Sequence, residues 1–541
     1  MLKSLTIGTL LKETAQKYGQ QEAVVYSKEN IRLTYKQFYD ESTRLAKALM
    51  KLGIKKGGNV AIWASNVPEW LLLQFATARI GAVLVTVNTS YQANELEYLL
   101  KQSDSTTLFL IDGFKGTSYV DTLKQITNFQ APHQDKLPKL KNLIYIGKDK
   151  APAGMNSWNE LLMLSGEVTD EELAGRENEL SHNDVINMQY TSGTTGFPKG
   201  VMLTHHNIVN NGYLVAEAMN LSNQDRLCIP VPFFHCFGCV LSTMACVSVG
   251  ATMLPIIEFD PELVLQTVEE EKCTALHGVP TMFIAELNHP NFSRYNLTTL
   301  RTGIMAGSPC PIEVMKKVIN VMGMTEITIA YGQTESSPVI TQTTRTDSIE
   351  RRVQTVGKAH THAEVKIIDP LTGEEAAPNQ QGELCTRGYL VMKGYYKMPE
   401  ATKQVIDADG WLHTGDLATI DEEGYVQITG RLKDMMIRGG ENIYPREIEE
   451  FLYSHDLIVD VQVIGVPDEK YGEKAAACIK IKEGYTLSLE EIREYCKGKL
   501  AFHKIPEYVF LVDEYPMTAS GKIQKYKLRE QAKEWISQEV N

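Results

Sequence analysis

Between residues 34 and 110 the hydrophobic period of the chain switches back and forth, and this alternation constrains the fold more than any other feature. TYKQFYDESTRLAKALMKLG places apolar residues at helical spacing and closes on glycine, and NVAIWAS follows as a short apolar run of strand length. VPEWLLLQFATARIGAVLVTV repeats a helix and then a strand. Apolar strands separated by amphipathic helices form parallel sheets with helices covering both faces. The same order returns in ELVLQTVEEEK before CTALHGV and in PIEVMKKVINVMG before EITIAYG. The expected fold class is α/β.

At 541 residues the chain is too long for one core. Between about 355 and 430 the texture becomes β-rich: AEVKIID, GELCTRG and YVQITG are short alternating runs, and turns such as DADG and DEEG lie among them. Beyond GRLKD, helix PREIEEFLYSH, strands VDVQVIGV and AAACIKIK and helix LEEIREYCKGKL describe an α+β piece of independent domain size. The expected division is a large domain of parallel α/β layers with a β-rich module, residues 1–430, and a small α+β domain, residues 431–541.

The net charge of −13 argues against non-specific nucleic-acid binding or an anionic membrane as partner. The N-terminal stretch reads as an ordinary first helix, and no uncharged apolar run reaches the roughly eighteen residues that span a bilayer. Nine cysteines without regular spacing or a secretion signal point to a reduced, cytoplasmic setting. Cys236 and Cys239 form one CxxC, read as buried or pocket-lining thiols because no second pair completes a metal site.

The chemistry centres on YTSGTTGFPKG, residues 190–200. Its hydroxyls and glycine backbone N–H groups suit phosphoryl oxygens. Yet Lys199 follows Pro198, which disfavours a helical conformation at Phe197, so this loop does not open a helix as the common nucleotide loop does. The string TSGTTGxPKG resembles the phosphate loop of the adenylate-forming superfamily, which includes acyl-CoA synthetases, peptide-synthetase adenylation domains and firefly luciferase. PVPFFHCFG, RTGIMAGSP, AYGQTESSP, WLHTGDL, GRLKD and PMTASGKIQK follow in the family's order, so the resemblance covers essentially the whole chain.

What the resemblance implies can be written residue by residue. Thr191, Ser192, Gly193, Thr194, Thr195, Gly196 and Lys199 would grip the phosphates of ATP. Gly307 would line the nucleotide and acyl pocket. Tyr331 would stack on adenine, Gly332 would take part in binding ATP, Thr334 would bond the α-phosphate, and Glu335 would hold a Mg²⁺ ion. Asp416 would bind the ribose hydroxyls, and Arg431 ribose or phosphate. His235 would stand by the substrate carboxylate. Lys522, carried by a mobile small domain, would bond carboxylate and α-phosphate as catalytic lysine.

RLKDMMIRGGENIYPREIEEF resembles acyl-CoA synthetases in particular, with Lys433 as hinge and Gly439 and Gly440 lining the passage of the CoA arm. IRGGENIYP, YCKGKL, FHKIPEY and GKIQKYKLRE look most similar to the medium-chain fatty acyl-CoA synthetases. Val231, Phe234 and Met305 are apolar candidates for the acyl wall. The expected substrates are a fatty acid or other carboxylic acid, ATP and coenzyme A, and a homodimer is left open. The competing readings are an enzyme that loads a separate carrier protein, a catalytically inactive nucleotide-binding protein, and a standard ATPase.

Overall fold

The computed structural model describes residues 1–127, 136–191, 198–438, 441–468 and 471–539. The expected first helix is Ile7–Tyr18, capped by the Thr6 side chain. Tyr35–Lys51 starts where Thr34 and Gln37 satisfy each other's backbone N–H groups. Its apolar stripe buries Phe38, Leu45 and Leu49 completely, and Phe38 meets Phe75 of the next helix edge-on at 5.2 Å. Each such side chain contributes roughly 1.5–3 kcal/mol by leaving water. The chain turns away at Gly53, φ +93°, a conformation that glycine adopts without a Cβ clash.

Two large sheets follow from the alternation. In the nine-stranded sheet, Thr328–Gly332, Thr302–Ala306, Ala275–Gly278, Arg226–Ile229, Thr252–Pro255 and Glu22–Tyr26 are parallel neighbours, with antiparallel strands at both edges. In the eight-stranded sheet, Val185–Thr191, Val83–Thr86, Asn59–Trp63, Thr107–Ile111 and Asn142–Ile146 are parallel. The β-rich module is a four-stranded antiparallel sheet of Ala363–Ile368, Gly382–Gly388, Leu412–Ile420 and Val426–Arg431.

The last sheet begins at Met436 and pairs Gly472–Ile481 with Ile458–Asp468 and Tyr508–Leu511. Its apolar side chains form two clusters drawn wholly from residues 436–536, and among the described residues no cluster crosses 432–435. The C-terminal piece therefore carries its own core. No helix among the described residues is long and apolar enough to cross a membrane.

Candidate active site

The phosphate-loop candidate joins two antiparallel strands. Thr191 pairs with Lys199, so the lysine opens a strand and not a helix. Ser192, Gly193, Thr194, Thr195 and Gly196 lie outside the described residues. Lys199 Nζ stands 4.9 Å over the Tyr395 ring, and the Tyr395 hydroxyl donates to Glu335 Oε1 at 2.8 Å. One aromatic side chain thus links the root of the loop to the carboxylate expected to hold magnesium. Sequence reasoning missed Tyr395, because a tyrosine in KGYYK gains its meaning only when the strand pairing of Tyr395 with Val201 brings it here.

Tyr331 and Gly332 end the parallel strand Thr328–Gly332, and Thr334 and Glu335 form the tight 3₁₀ turn that follows. A Cβ on Gly332 would sit 1.8 Å from the Pro338 carbonyl oxygen, so only glycine lets the backbone turn here. Such crevices at the carboxyl ends of parallel strands are the usual ligand sites of open α/β sheets.

Asp416 is aimed by an irregular strand. Along Gly382–Gly388 the ladder advances two residues, from Glu383 to Cys385, while its partner goes from Leu417 to His413. The surplus on the partner makes a bulge of Thr414, Gly415 and Asp416, with Gly415 at φ +72°. The Asp416 carboxylate accepts the Tyr331 hydroxyl at 2.7 Å on Oδ2 and meets its cross-strand partner Arg431 Nε at 3.0 Å on Oδ1. Burial, and then the Asp416 charge, push the Tyr331 phenol well above its ordinary range, so it remains a donor. Asp416 is 7% exposed, whereas the Arg431 side chain is 56% exposed and can swing toward a ligand.

Lys522 comes from the other domain. It closes a small hairpin in which Lys522 N–H donates to Thr518 Oγ1 at 3.0 Å and Gly521 adopts φ +78°. The hairpin docks where Thr281 Oγ1 donates to the Gly521 carbonyl at 3.0 Å. Lys522 then crosses Gly307, φ +93°, where a Cβ would lie 3.4 Å from Lys522 Cε and 3.1 Å from Val279 Cγ1. Its Nζ ends 3.3 Å from His235 Nε2.

The His235 ring is oriented by its own chain, since Nδ1 accepts the Phe237 backbone N–H at 3.1 Å. A neutral imidazole then carries its proton on Nε2 and points it at Lys522. Burial and then the Lys522 charge hold the His235 pKa well below its usual value. Burial also lowers that of Lys522, against the opposing pull of Cys236, Asp416 and Glu335. Two donors from two domains thus converge on one point, an arrangement suited to an anionic oxygen between them.

The other candidates fall into place unevenly. Both CxxC thiols are buried: Cys236 Sγ lies 3.8 Å from Thr334 Oγ1, and Cys239 Sγ accepts from Gln189 Nε2 at 3.2 Å. Lys433 lies in the turn 432–435, which joins the β-rich module to the C-terminal sheet. Gly439 and Gly440 lie outside the described residues. Val231 and Phe234 are buried in the segment leading to His235. Met305 does not join them: Ile304 and Ala306 pack with Val231 in one cluster, while Met305 points to the opposite face of its strand and packs in another.

Comparison with known proteins gives the family. A family model described as AMP-binding enzyme matches residues 11–396, and one described as AMP-binding enzyme C-terminal domain matches residues 447–522. YngI of Bacillus subtilis (strain 168), whose name assigns it provisionally to the acyl-CoA synthetases, is 64% identical over 538 residues, covering 98% of each chain. The mitochondrial medium-chain acyl-CoA ligase ACSF2 of Danio rerio is 42% identical over 542 residues, covering 99% of this chain and 89% of its own. The crystal structure of the anthranilate CoA ligase AuaEII in complex with anthranoyl-AMP superposes with a TM-score of 0.89 at 25% identity, covering 99% of this chain and 98% of that one.

Proposed function

The chain belongs to the AMP-binding enzymes and, within them, to the acyl-CoA synthetases, and from that premise we propose that it is an ATP-dependent fatty acid–CoA ligase for medium-chain acids. The observation that carries the mechanism is the convergence of Lys522 Nζ and His235 Nε2, 3.3 Å apart, from separate domains.

In the first half-reaction a carboxylate oxygen of the acid attacks the α-phosphorus of ATP, forming acyl-AMP, and the bond to pyrophosphate breaks. Both reactants are anions. Lys522 and the Nε2–H of His235 offset their repulsion and the charge that spreads over the phosphorus. Residues 191–196 and Lys199 hold the β- and γ-phosphates, Thr334 holds the α-phosphate, and Tyr331, Gly332 and Gly307 line the adenosine site. Asp416 receives the ribose hydroxyls on oxygens that Tyr331 and Arg431 now occupy.

Glu335 suits Mg²⁺: its partly buried carboxylate, the neighbouring Thr334 hydroxyl and the Tyr395 hydroxyl on Oε1 form a hard-oxygen donor set of the kind magnesium selects. Such an ion supplies charge neutralisation on the phosphates. Tyr395 keeps Glu335 turned toward them.

In the second half-reaction the small domain turns about Lys433, withdraws Lys522 and brings Gly439 and Gly440 to the CoA arm. The CoA thiolate attacks the acyl carbonyl and AMP leaves. We divide the chain at 430/431, a boundary supported by the two separate sets of cores and by a four-residue connection, 432–435. Val231 and Phe234 remain in the acyl wall and Met305 does not. Nine free, buried cysteines support a cytoplasmic enzyme, which cell fractionation checks.

The test is ATP-to-AMP conversion with acids from acetate to palmitate, with and without CoA. CoA-dependent turnover that peaks at middle chain lengths is expected. Pyrophosphate exchange without CoA turnover would overturn the ligase in favour of an enzyme that loads a carrier protein.

A further inference from the structure

Behind the bulge that aims Asp416 lies a cluster with no part in the mechanism above. Glu383 and Cys385 stand two apart on one strand and so share a face, and Cys385 is the ladder partner of His413. His413 Nδ1 is 3.0 Å from Glu383 Oε2 and 3.5 Å from Cys385 Sγ, and the three ligand atoms all lie within 4.8 Å of one another. On its far side His413 Nε2 faces Asp407 Oδ2 at 3.8 Å.

The distances from His413 Nδ1 to Cys385 Sγ and to Glu383 Oε2 are close to those between ligands of a tetrahedral metal centre. Zinc bonds of about 2.0 Å to nitrogen or oxygen and about 2.3 Å to sulfur, at tetrahedral angles, separate nitrogen from sulfur by about 3.5 Å and nitrogen from oxygen by about 3.3 Å. A carboxylate on the second nitrogen is the usual support of a zinc-bound histidine, fixing its tautomer and its orientation. Asp407 is itself anchored, its Oδ1 accepting the backbone N–H groups of Asp409 at 3.0 Å and Trp411 at 2.8 Å. Glu383 is anchored by Gly415, whose N–H bonds the other oxygen, Oε1, at 3.0 Å. Two antiparallel strands therefore present sulfur, nitrogen and oxygen in a fixed arrangement, and the His413 side chain, 30% exposed, gives an ion a way in.

We propose that Glu383, Cys385 and His413 form a site for a thiophilic divalent cation of the zinc class, with solvent in the fourth position. As the Sγ–metal bond forms, the Cys385 S–H proton leaves to solvent. The His413 proton moves from Nδ1, where it faces Glu383, to Nε2, where it faces Asp407. Thiolate and carboxylate then balance the two charges of the ion. The thiolate separates this site from the one at Glu335, because sulfur and imidazole favour zinc or cobalt over magnesium. Sequence reasoning passed over it for the CxxC, because nothing in GELCTRG or WLHTGDL reveals the ladder that joins them.

The test uses the full-length enzyme, stripped of metal with a chelator and titrated with Co²⁺ in the absence of ATP. A thiolate-to-cobalt absorption band in the near ultraviolet is expected, saturating at one cobalt per chain, displaced by Zn²⁺ and unaffected by millimolar Mg²⁺. With nine cysteines in the chain, the assignment rests on Cys385→Ser, which removes the band. Asp407→Asn keeps all three ligands and weakens cobalt binding about 10- to 100-fold. No band in the wild type, or a band that survives in Cys385→Ser, overturns the site. Should Cys385→Ser fail to fold by circular dichroism, Asp407→Asn decides, and unchanged cobalt affinity in that variant overturns it.

Discussion

The ribose end and the lysine end of the site are held in different ways. Asp416 lies within one domain, 7% exposed, locked by Tyr331 and Arg431 and aimed by a bulge that the whole β-rich sheet enforces. Lys522 is rigid only within its own hairpin, and its approach to the large domain depends on Thr281 below and His235 at its tip. The remaining polar contacts between the C-terminal piece and the large domain are sparse, among them Arg446 to the Ile428 carbonyl at 2.8 Å and Glu450 to the Ile312 N–H at 3.2 Å. Under the proposed mechanism, the group needed throughout the cycle is the one that is built in, and the group needed for a single half-reaction is the one that is docked. Substitutions at the two ends should therefore fail in different ways.

The largest effect among the binding residues is expected for Asp416→Ala. It removes the ribose acceptor and leaves Arg431 and the Tyr331 hydroxyl without their partner, at a cost of about 3 kcal/mol or roughly a hundredfold in kcat/KM for ATP. Steady-state kinetics with ATP varied for adenylation, and with supplied acyl-AMP varied for transfer to CoA, checks this. If only adenylation suffered, Asp416 would behave like a docked group and the contrast would collapse.

Gly307→Ala comes next. The residue sits at φ +93° with Val279 and Lys522 on either side, so a methyl group strains the turn and displaces the lysine. Adenylation should fall about tenfold, or about 1.4 kcal/mol, with transfer from supplied acyl-AMP to CoA unchanged.

A pH profile sharpens the comparison further. The Lys522 pKa is lowered by burial, and the proposed mechanism uses the protonated form, so adenylation should decline as pH rises through a value below the usual lysine range. Lys522→Arg, always charged, should keep less activity but lose that alkaline limb. Because His235 stays neutral to well below its usual pKa, no limb is expected near that usual value. A strong acid limb there would contradict a His235 held neutral by burial and Lys522.

The smallest effect belongs to Thr281→Val. It deletes one hydrogen bond to the Gly521 carbonyl, worth about 1 kcal/mol, and should slow adenylation roughly fivefold without touching the CoA step.

What could be read from the sequence divides along physical lines. The parallel layers were legible because period and length mark each element locally, as in Tyr35–Lys51 with its Thr34–Gln37 cap. The motifs around Tyr331, Asp416 and Lys522 were legible as strings. Their wiring was not: the Tyr395 link to Glu335 spans 60 residues, and the Lys522 contact with His235 spans 287. The separation of Met305 from Val231 was hidden for another reason. One step along a strand turns a side chain to the other face, and RTGIMAGSP does not say which face meets the site.

The most direct measurement pairs the two half-reactions in Lys522→Ala, with ATP–pyrophosphate exchange for adenylation and thioester formation from supplied octanoyl-AMP and CoA for transfer. The account predicts that exchange falls by a factor of about 10²–10³ while transfer stays within about threefold of wild type. Equal loss of both, in a variant with an unchanged melting temperature, would contradict a lysine that serves one half-reaction and then withdraws.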